Sequence, residues 1–333
     1  MSEERLFVLR LIQEGKLSAA EGAELIRALD GGEAHTLAQP EWRISSYERE
    51  RREPGWLGGL VESIMEHLPG DWTGGAPHQF VEEVAGEFGP GPVSLDLNTQ
   101  NGRVEVATWA GPGFSLELGK KVWAQDEQEA RTRAGQLVDV SSDKGRLSVR
   151  VRDGVRHAAI HIKLRVPVRP GYALTAVTTN GAIRLEGLDC ATAAARSANG
   201  RIELAGVSAE ELTADTVNGS VSIAGGRHGR AGARSVNGSV VVATESRSGE
   251  LNLGTTNGSI KCRVPRGARC SVQADTVMGS IRVEVPDMDG KLEGSFGSRR
   301  YQGRNGAAGT DPELRIHART TNGSISISES QGE

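Results

Sequence analysis

Beyond residue 90, apolar and polar positions alternate through most of the chain, and the alternation is phased on a recurring Asn-Gly pair. In phase with the alternation, the pair stands at Asn101, Asn180, Asn199, Asn218, Asn237, Asn257 and Asn322, and Met278-Gly279 keeps the pattern with Met in the Asn place. From Asn180 the steps are 19, 19, 19, 20 and 21 residues, then 44, or about two periods. Two residues before Asn there is always a hydroxyl, as at Thr178, Ser197, Thr216 and Ser235. Four and six before it stand small or apolar residues, as at Leu212 and Ala214. Three and five after it stand apolar ones, as at Ile183 and Leu185, or Val221 and Ile223. A period of two on both sides predicts two short strands per copy, each with one apolar face.

Asn-Gly tolerates positive φ, so each pair is read as a sharp turn. It either closes a type I′ hairpin of an antiparallel meander or forms the corner of a β-solenoid whose copies stack in sequence order. Strand parity is the same in both, but stacking sets like positions side by side at about 4.8 Å and lets Asn, Thr/Ser and Ile form ladders. The column three before Asn runs Arg196, Asp215, Arg234, the alternation in sign that neighbouring rungs prefer. The fold class expected is therefore mainly β, a single-chain β-solenoid.

The remaining chain supplies ends and excursions. Residues 1–31 read as a helical hairpin: Leu6, Leu9 and Ile12 form one apolar face, Ala23, Ile26 and Leu29 the other, and Ser18 with Glu21 makes a capping box. The two faces are too small for an independent core, so the hairpin is expected to bind a partner, a copy of itself, or the solenoid. Residues 32–75 read as a mixed-charge linker followed by an amphipathic helix over 56–68. That helix is read as a cap in preference to a membrane-surface helix, because Glu62, Glu66 and Asp71 would be repelled by anionic lipid. Residues 76–333 form the repeat domain. Within it, Phe114–Ala124 reads as a strand, Asp126–Gln136 as a short polar helix, and Lys144-Gly145 as an Asn-Gly equivalent. Ile160–Val168 reads as a strand at an edge that Pro167 and Pro170 suit, and 286–312 as a long loop with one strand near Phe296–Tyr301.

Composition narrows the function. A net charge of −4 gives no pull toward nucleic acid. Cys190, Cys262 and Cys270 are odd in number with no C-x-x-C, which points to a reducing compartment. The N-terminus has acids where a signal peptide needs a basic region, and no stretch approaches a membrane span. A cytoplasmic location is expected, with peripheral contact at the inner face of the membrane as the variant. For catalysis, the outward columns hold no carboxylate pair, and residues 173–295 contain no Phe, Tyr or Trp to make a sugar platform. His157 and His161 share a strand face but have no third ligand nearby. No enzyme, cofactor or metal is expected, and the Asn column is read as a structural corner.

The serial TxNGxIxL copies, the VPVRPGYAL lead-in, the short acidic helix and the final TTNGSISI together resemble the Toastrack family, also described as adhesin-like β-strand-repeat proteins. The resemblance covers about residues 88–328. The segment LIQEGKLSAAEGAELIRAL is similar to the helical hairpin that precedes such domains in LiaX- and YvlB-type proteins. The resemblance implies a β-solenoid of right-handed type and an association with bacterial envelope-stress systems of the phage-shock and LiaFSR kind. It implies no catalytic residues. The PspC-like membrane segments that often accompany such domains have no counterpart in this sequence. The expected function is a non-enzymatic scaffold or sensor-adaptor, with a membrane protein of an envelope-stress system among the expected partners. The alternative is a self-assembling, adhesin-like structural protein, with a carbohydrate-active enzyme third.

Overall fold

The structure is a computed structural model that describes residues 76–152, 158–295, 298–306 and 314–330. The expected hairpin at 1–31 and the linker and amphipathic helix at 32–75 lie outside the described residues. The chain opens with β1 (Ala76–Gly86), β2 (Val93–Asn101), β3 (Val104–Trp109) and β4 (Phe114–Ala124). Helix α1 (Glu127–Ala134), β5 (Val138–Ser142), β6 (Arg146–Val151) and β7 (Ala158–Pro167) follow. Paired strands then recur: β8 (Tyr172–Asn180) with β9 (Ile183–Glu186), β10 (Asp189–Ser197) with β11 (Ile202–Ala205), and β12 (Ser208–Thr216) with β13 (Val221–Ala224). Next come β14 (His228–Ser235) with β15 (Val240–Ala243), β16 (Gly249–Asn257) with β17 (Ile260–Val264), and β18 (Cys270–Met278) with β19 (Ile281–Glu284). The chain finishes with β20 (Met288–Ser295), β21 (Ser298–Asn305), β22 (Leu314–Asn322) and β23 (Ile325–Glu329).

Strands before each Asn-Gly join one sheet and strands after it join another, so every copy is a rung with a corner between two sheets. The front sheet has 12 strands in the order β20-β21-β18-β22-β16-β14-β12-β10-β8-β2-β6-β5. The back sheet has 11, in the order β1-β4-β7-β3-β9-β11-β13-β15-β17-β23-β19. Rungs pair parallel and in register, with Ile183 beside Ile202, then Val221, Val240, Ile260 and Ile325. All six are at most 1% exposed, and each such side chain contributes about 1.5–3 kcal/mol by leaving water. Alternation thus produces a solenoid: one face of each strand fills the space between the sheets and the other faces solvent. None of the Asn-Gly pairs of the repeat columns closes a hairpin.

Stacking does not follow sequence order throughout. The last copy, β22 and β23, pairs with β16 and β17 on one side and with β18 and β19 on the other. It lies inside the stack, next to last, because its columns match both neighbours. Lys144-Gly145 is not a solenoid corner either. β5 and β6 run antiparallel in the same sheet, and Asp143 closes their turn by accepting from the Gly145 amide at 2.8 Å. β7 is an interior strand between β4 and β3, with Pro167 as its last residue. The stretch 286–312 holds an antiparallel pair, β20 and β21, in place of a loop with one strand.

These antiparallel pairs sit at the ends of the stack, where a bare rung would offer open backbone groups to another chain. At the β1 end, α1 lies on β4, with Asp126 capping its first turn and Ala130 and Ala134 buried. Lys120 of β4 is 4% exposed; its ammonium donates to Glu82 of β1 at 2.5 Å and to the Ala134 carbonyl at 3.0 Å. At the other end Met288 and Tyr301 of the β20–β21 pair pack on the core.

Candidate interaction surface: the Asn-Gly corner and the outward columns

The Asn side chains form one continuous ladder. Asn180 donates its amide to Asn101, Asn199 to Asn180, Asn218 to Asn199, and so on through Asn237, Asn257 and Asn322, at 2.7–2.8 Å. Met278 pairs with Asn322 in the next rung and ends the ladder, since a thioether neither donates nor accepts well. The hydroxyl column is the second tie. Thr178, Ser197, Thr216, Ser235, Thr255, Thr320 and Thr276 each donate to the corner glycine carbonyl of the preceding rung, at 2.7–3.0 Å. Thr99, whose neighbour is β7, donates to the Ile160 carbonyl instead.

Positive φ is not what the corner requires. Among the described residues, the single non-Gly residue with positive φ is Asp287, and none of the corner glycines has it. Glycine is needed there because the rungs approach so closely: a Cβ on Gly219 would stand 2.2 Å from the Gly200 carbonyl oxygen, and one on Gly200 1.7 Å from that of Gly181. Left-handed glycine belongs to the opposite corner, where Gly187, Gly206 and Gly225 have φ of 65°, 60° and 75°.

Each Asn inside the ladder, from Asn180 to Asn257, spends one N–H and one lone pair within it and keeps one of each for solvent, whereas Asn101 only accepts and Asn322 only donates. Beside it stand Val217 and Val236, both exposed. Such an edge is neutral, rigid and able to form hydrogen bonds, and it carries no nucleophile. The candidate interaction residues Leu6, Leu9, Ile12, Ala23, Ile26 and Leu29 lie outside the described residues.

Other reactive groups are enclosed. Burial pushes the Cys190 and Cys262 thiols up to about 12 and that of Cys270 to about 11, so none is a ready thiolate. His161 accepts from the Arg103 amide at 3.1 Å, and burial, then Arg103, lowers its pKa. His157 lies outside the described residues. His228, 3% exposed, replaces an apolar residue in its column. Its Nε2 lies 2.9 Å from the Val207 carbonyl and its Nδ1 3.4 Å from the Thr244 hydroxyl. No group of three or more His, Cys, Asp or Glu suited to a metal occurs among the described residues.

Along the sequence the alternating charges are visible only from Arg196 to Arg234. The rung order continues the same column through Gly254, Arg319 and Asp275 to Arg300 of β21. Linear spacing hides this continuation because Arg319 belongs to the inserted rung.

Two parallel-stacked sheets joined at Asn-Gly corners define the class as a two-sheet β-solenoid. The chain belongs to the Toastrack DUF4097 family, whose model matches residues 94–328. Residues 3–34 match the model of a SHOCT-like domain. Among solved structures, the chain is similar to a candidate adhesin from Bacteroides fragilis, at 13% identity and a TM-score of 0.38, over 75% of this chain and 97% of that one. A candidate cell-adhesion protein from Clostridium sporogenes is similar at 11% identity and a TM-score of 0.28, over 77% of this chain and 100% of that one. A candidate adhesin from Parabacteroides distasonis is similar at 10% and 0.32, over 77% and 98%. No curated protein matches the chain. No helix among the described residues is long and apolar enough to cross a membrane.

Proposed function

We propose that the protein is a non-enzymatic scaffold or sensor-adaptor of a bacterial envelope-stress response, working in the cytoplasm or at the inner face of the membrane. The solenoid presents fixed columns of side chains, and the N-terminal segment recruits a partner or a second copy through Leu6, Leu9 and Ile12 or through Ala23, Ile26 and Leu29. The observation that carries the reading is the double tie at every corner. Asn ladder and hydroxyl column together hold the rungs in one register, which suits a rigid display surface better than a site that must close on substrate. The SHOCT-like match over residues 3–34 supports a separate module ahead of the solenoid.

The test replaces Leu9 and Ile26 with Asp. The reading expects the solenoid to melt unchanged while self-association or capture of a membrane partner is lost. A fall of several degrees in melting temperature with association intact would make the segment a cap and remove the adaptor reading. An adhesin-like protein that assembles end to end is the second reading, favoured by exposed Val277, Met278 and Leu292 at one end of the stack. A sizing column separates the two, since filaments favour the second.

A further inference from the structure

The outward column of the front sheet, three residues before the corner, alternates in charge with one break. In spatial order it runs Arg196, Asp215, Arg234, then Gly254, then Arg319, Asp275 and Arg300. Both acids in this column lie between two arginines. Asp275 accepts from Arg300 at 2.7 Å and faces Arg319 at 3.6 Å; Asp215 faces Arg196 at 3.8 Å. At Gly254, where the alternation calls for a third acid, there is no side chain.

Folding does not demand that glycine. Gly254 has no left-handed φ, and a Cβ built on it would meet only the Cγ of Arg234, at an ordinary 3.7 Å. This sets it apart from the corner glycines, where a Cβ would collide with backbone. Arg234 leans over the vacant position and has no ion-pair partner among the described residues; it does not turn back to Asp215, whose Oδ1 has no hydrogen-bond partner. A groove of about 620 Å³ lies there, walled by Arg234 and Arg319, with Asn252, Gln273 and His317 along it; Asp275, already paired with Arg300 and Arg319, also lines it. The two arginines are two rungs apart, about 9.6 Å at the backbone, and long enough to reach one group between them.

We propose that this groove binds a carboxylate side chain of an acidic peptide, which supplies the missing acid of the ladder. Guanidinium forks match a carboxylate in two-point contact and hold it better than a lysine would. The groove has no aromatic platform for a sugar ring, and this favours a peptide over an acidic glycan. The site is independent of residues 3–34 and stands whether or not the adaptor reading does.

Fluorescein-labelled hexa-aspartate, titrated into the full chain at low ionic strength, tests the proposal by anisotropy. Binding is expected to weaken with salt. Arg234→Gln and Arg319→Gln should each weaken it by about tenfold. Gly254→Asp supplies the acid from within, so it should abolish binding and raise the melting temperature above that of Gly254→Asn, which has the same shape without the charge. Undiminished peptide binding by Gly254→Asp, or equal melting of the Asp and Asn variants, overturns the proposal. Inorganic phosphate or polygalacturonate displacing the peptide at lower concentration than unlabelled hexa-aspartate overturns the peptide assignment.

Discussion

Asn322 donates its side-chain amide to Asn257 at 2.8 Å across 65 residues of sequence, while Met278, much nearer in sequence, pairs on the far side of Asn322. The amide chain therefore runs without a break through every rung that has an Asn and stops at the one that does not. Met278→Asn should add one ladder bond and remove an exposed thioether, raising stability by about 0.5–1 kcal/mol. Asn218→Ala cuts two bonds, to Asn199 and from Asn237, and should cost on the order of 1–2 kcal/mol. No backbone strain adds to that cost, since φ there is not positive. Urea unfolding of the two variants should move in opposite directions; equal midpoints would mean that the exposed ladder contributes nothing.

Two glycines of the same stack should respond oppositely to the same change. Gly219→Ala places a methyl group 2.2 Å from a backbone oxygen that side-chain motion cannot relieve. The rungs must separate there, at a cost of about 3 kcal/mol or more. Gly254→Ala meets only a side-chain carbon at 3.7 Å and should be neutral or stabilising by up to about 1 kcal/mol. Thermal melts of the pair distinguish a glycine that close rung contact requires from one that folding does not require.

Lys120 is a cation on the core side of β4, held by Glu82 and by the last turn of α1. Glu82→Ala removes its carboxylate partner but leaves the helix carbonyl. Glu82 is half exposed, which tempers the loss to about 1–2 kcal/mol. Lys120→Met keeps the stem and removes the charge, so it should cost less than Glu82→Ala. Amide exchange across α1 reports directly on whether the ion pair holds the helix down.

Acid should weaken the solenoid in two separate windows. Burial, partly offset by the Val207 carbonyl and Glu245, lowers the pKa of His228 from 6.5. The unfolded chain then binds the proton first, so this contribution is complete above pH 6.5 and is lost as pH falls through the lower folded value. His161 adds to the same window with the same sign. Asp275 is held below its ordinary 3.8 by Arg300 and Arg319 against the opposing effect of burial, and its contribution fails only in stronger acid, below 3.8. His228→Gln should make the first limb of a stability-against-pH curve shallower, leaving the part due to His161, and should not change the second.

Much of this was legible in the chain. The hydroxyl, Asn and apolar columns define two strands and a corner, and their constancy selects stacking over hairpins. Asn-Gly was misleading about φ, because the pair is equally at home in a left-handed turn and where backbones nearly touch; only the inter-rung distance separates the two cases. Lys144-Gly145 misled for a related reason: local alternation is the same in a hairpin as at a corner, and the turn made by Asp143 decides. The inserted position of Leu314–Glu329 could not be read from the columns, since they fit every neighbour equally. Met278 was the one trace of it, and the gap at Gly254 becomes visible only once that order is known.

That insertion bears on how the molecule is made. A ribosome delivers β18 and β19 before β22 and β23, the layer they finally rest on. Because Thr255 and Thr276 both match Thr320, and Leu253 and Ala274 both match Ala318, a stack shorter by one storey would set Thr276 against Thr255 and Ala274 against Leu253. Its ladder would be one bond shorter, ending at Asn257 with Met278 set directly against it. Asn322 brings the amide that Met278 cannot, so the final order gains one more tie between layers.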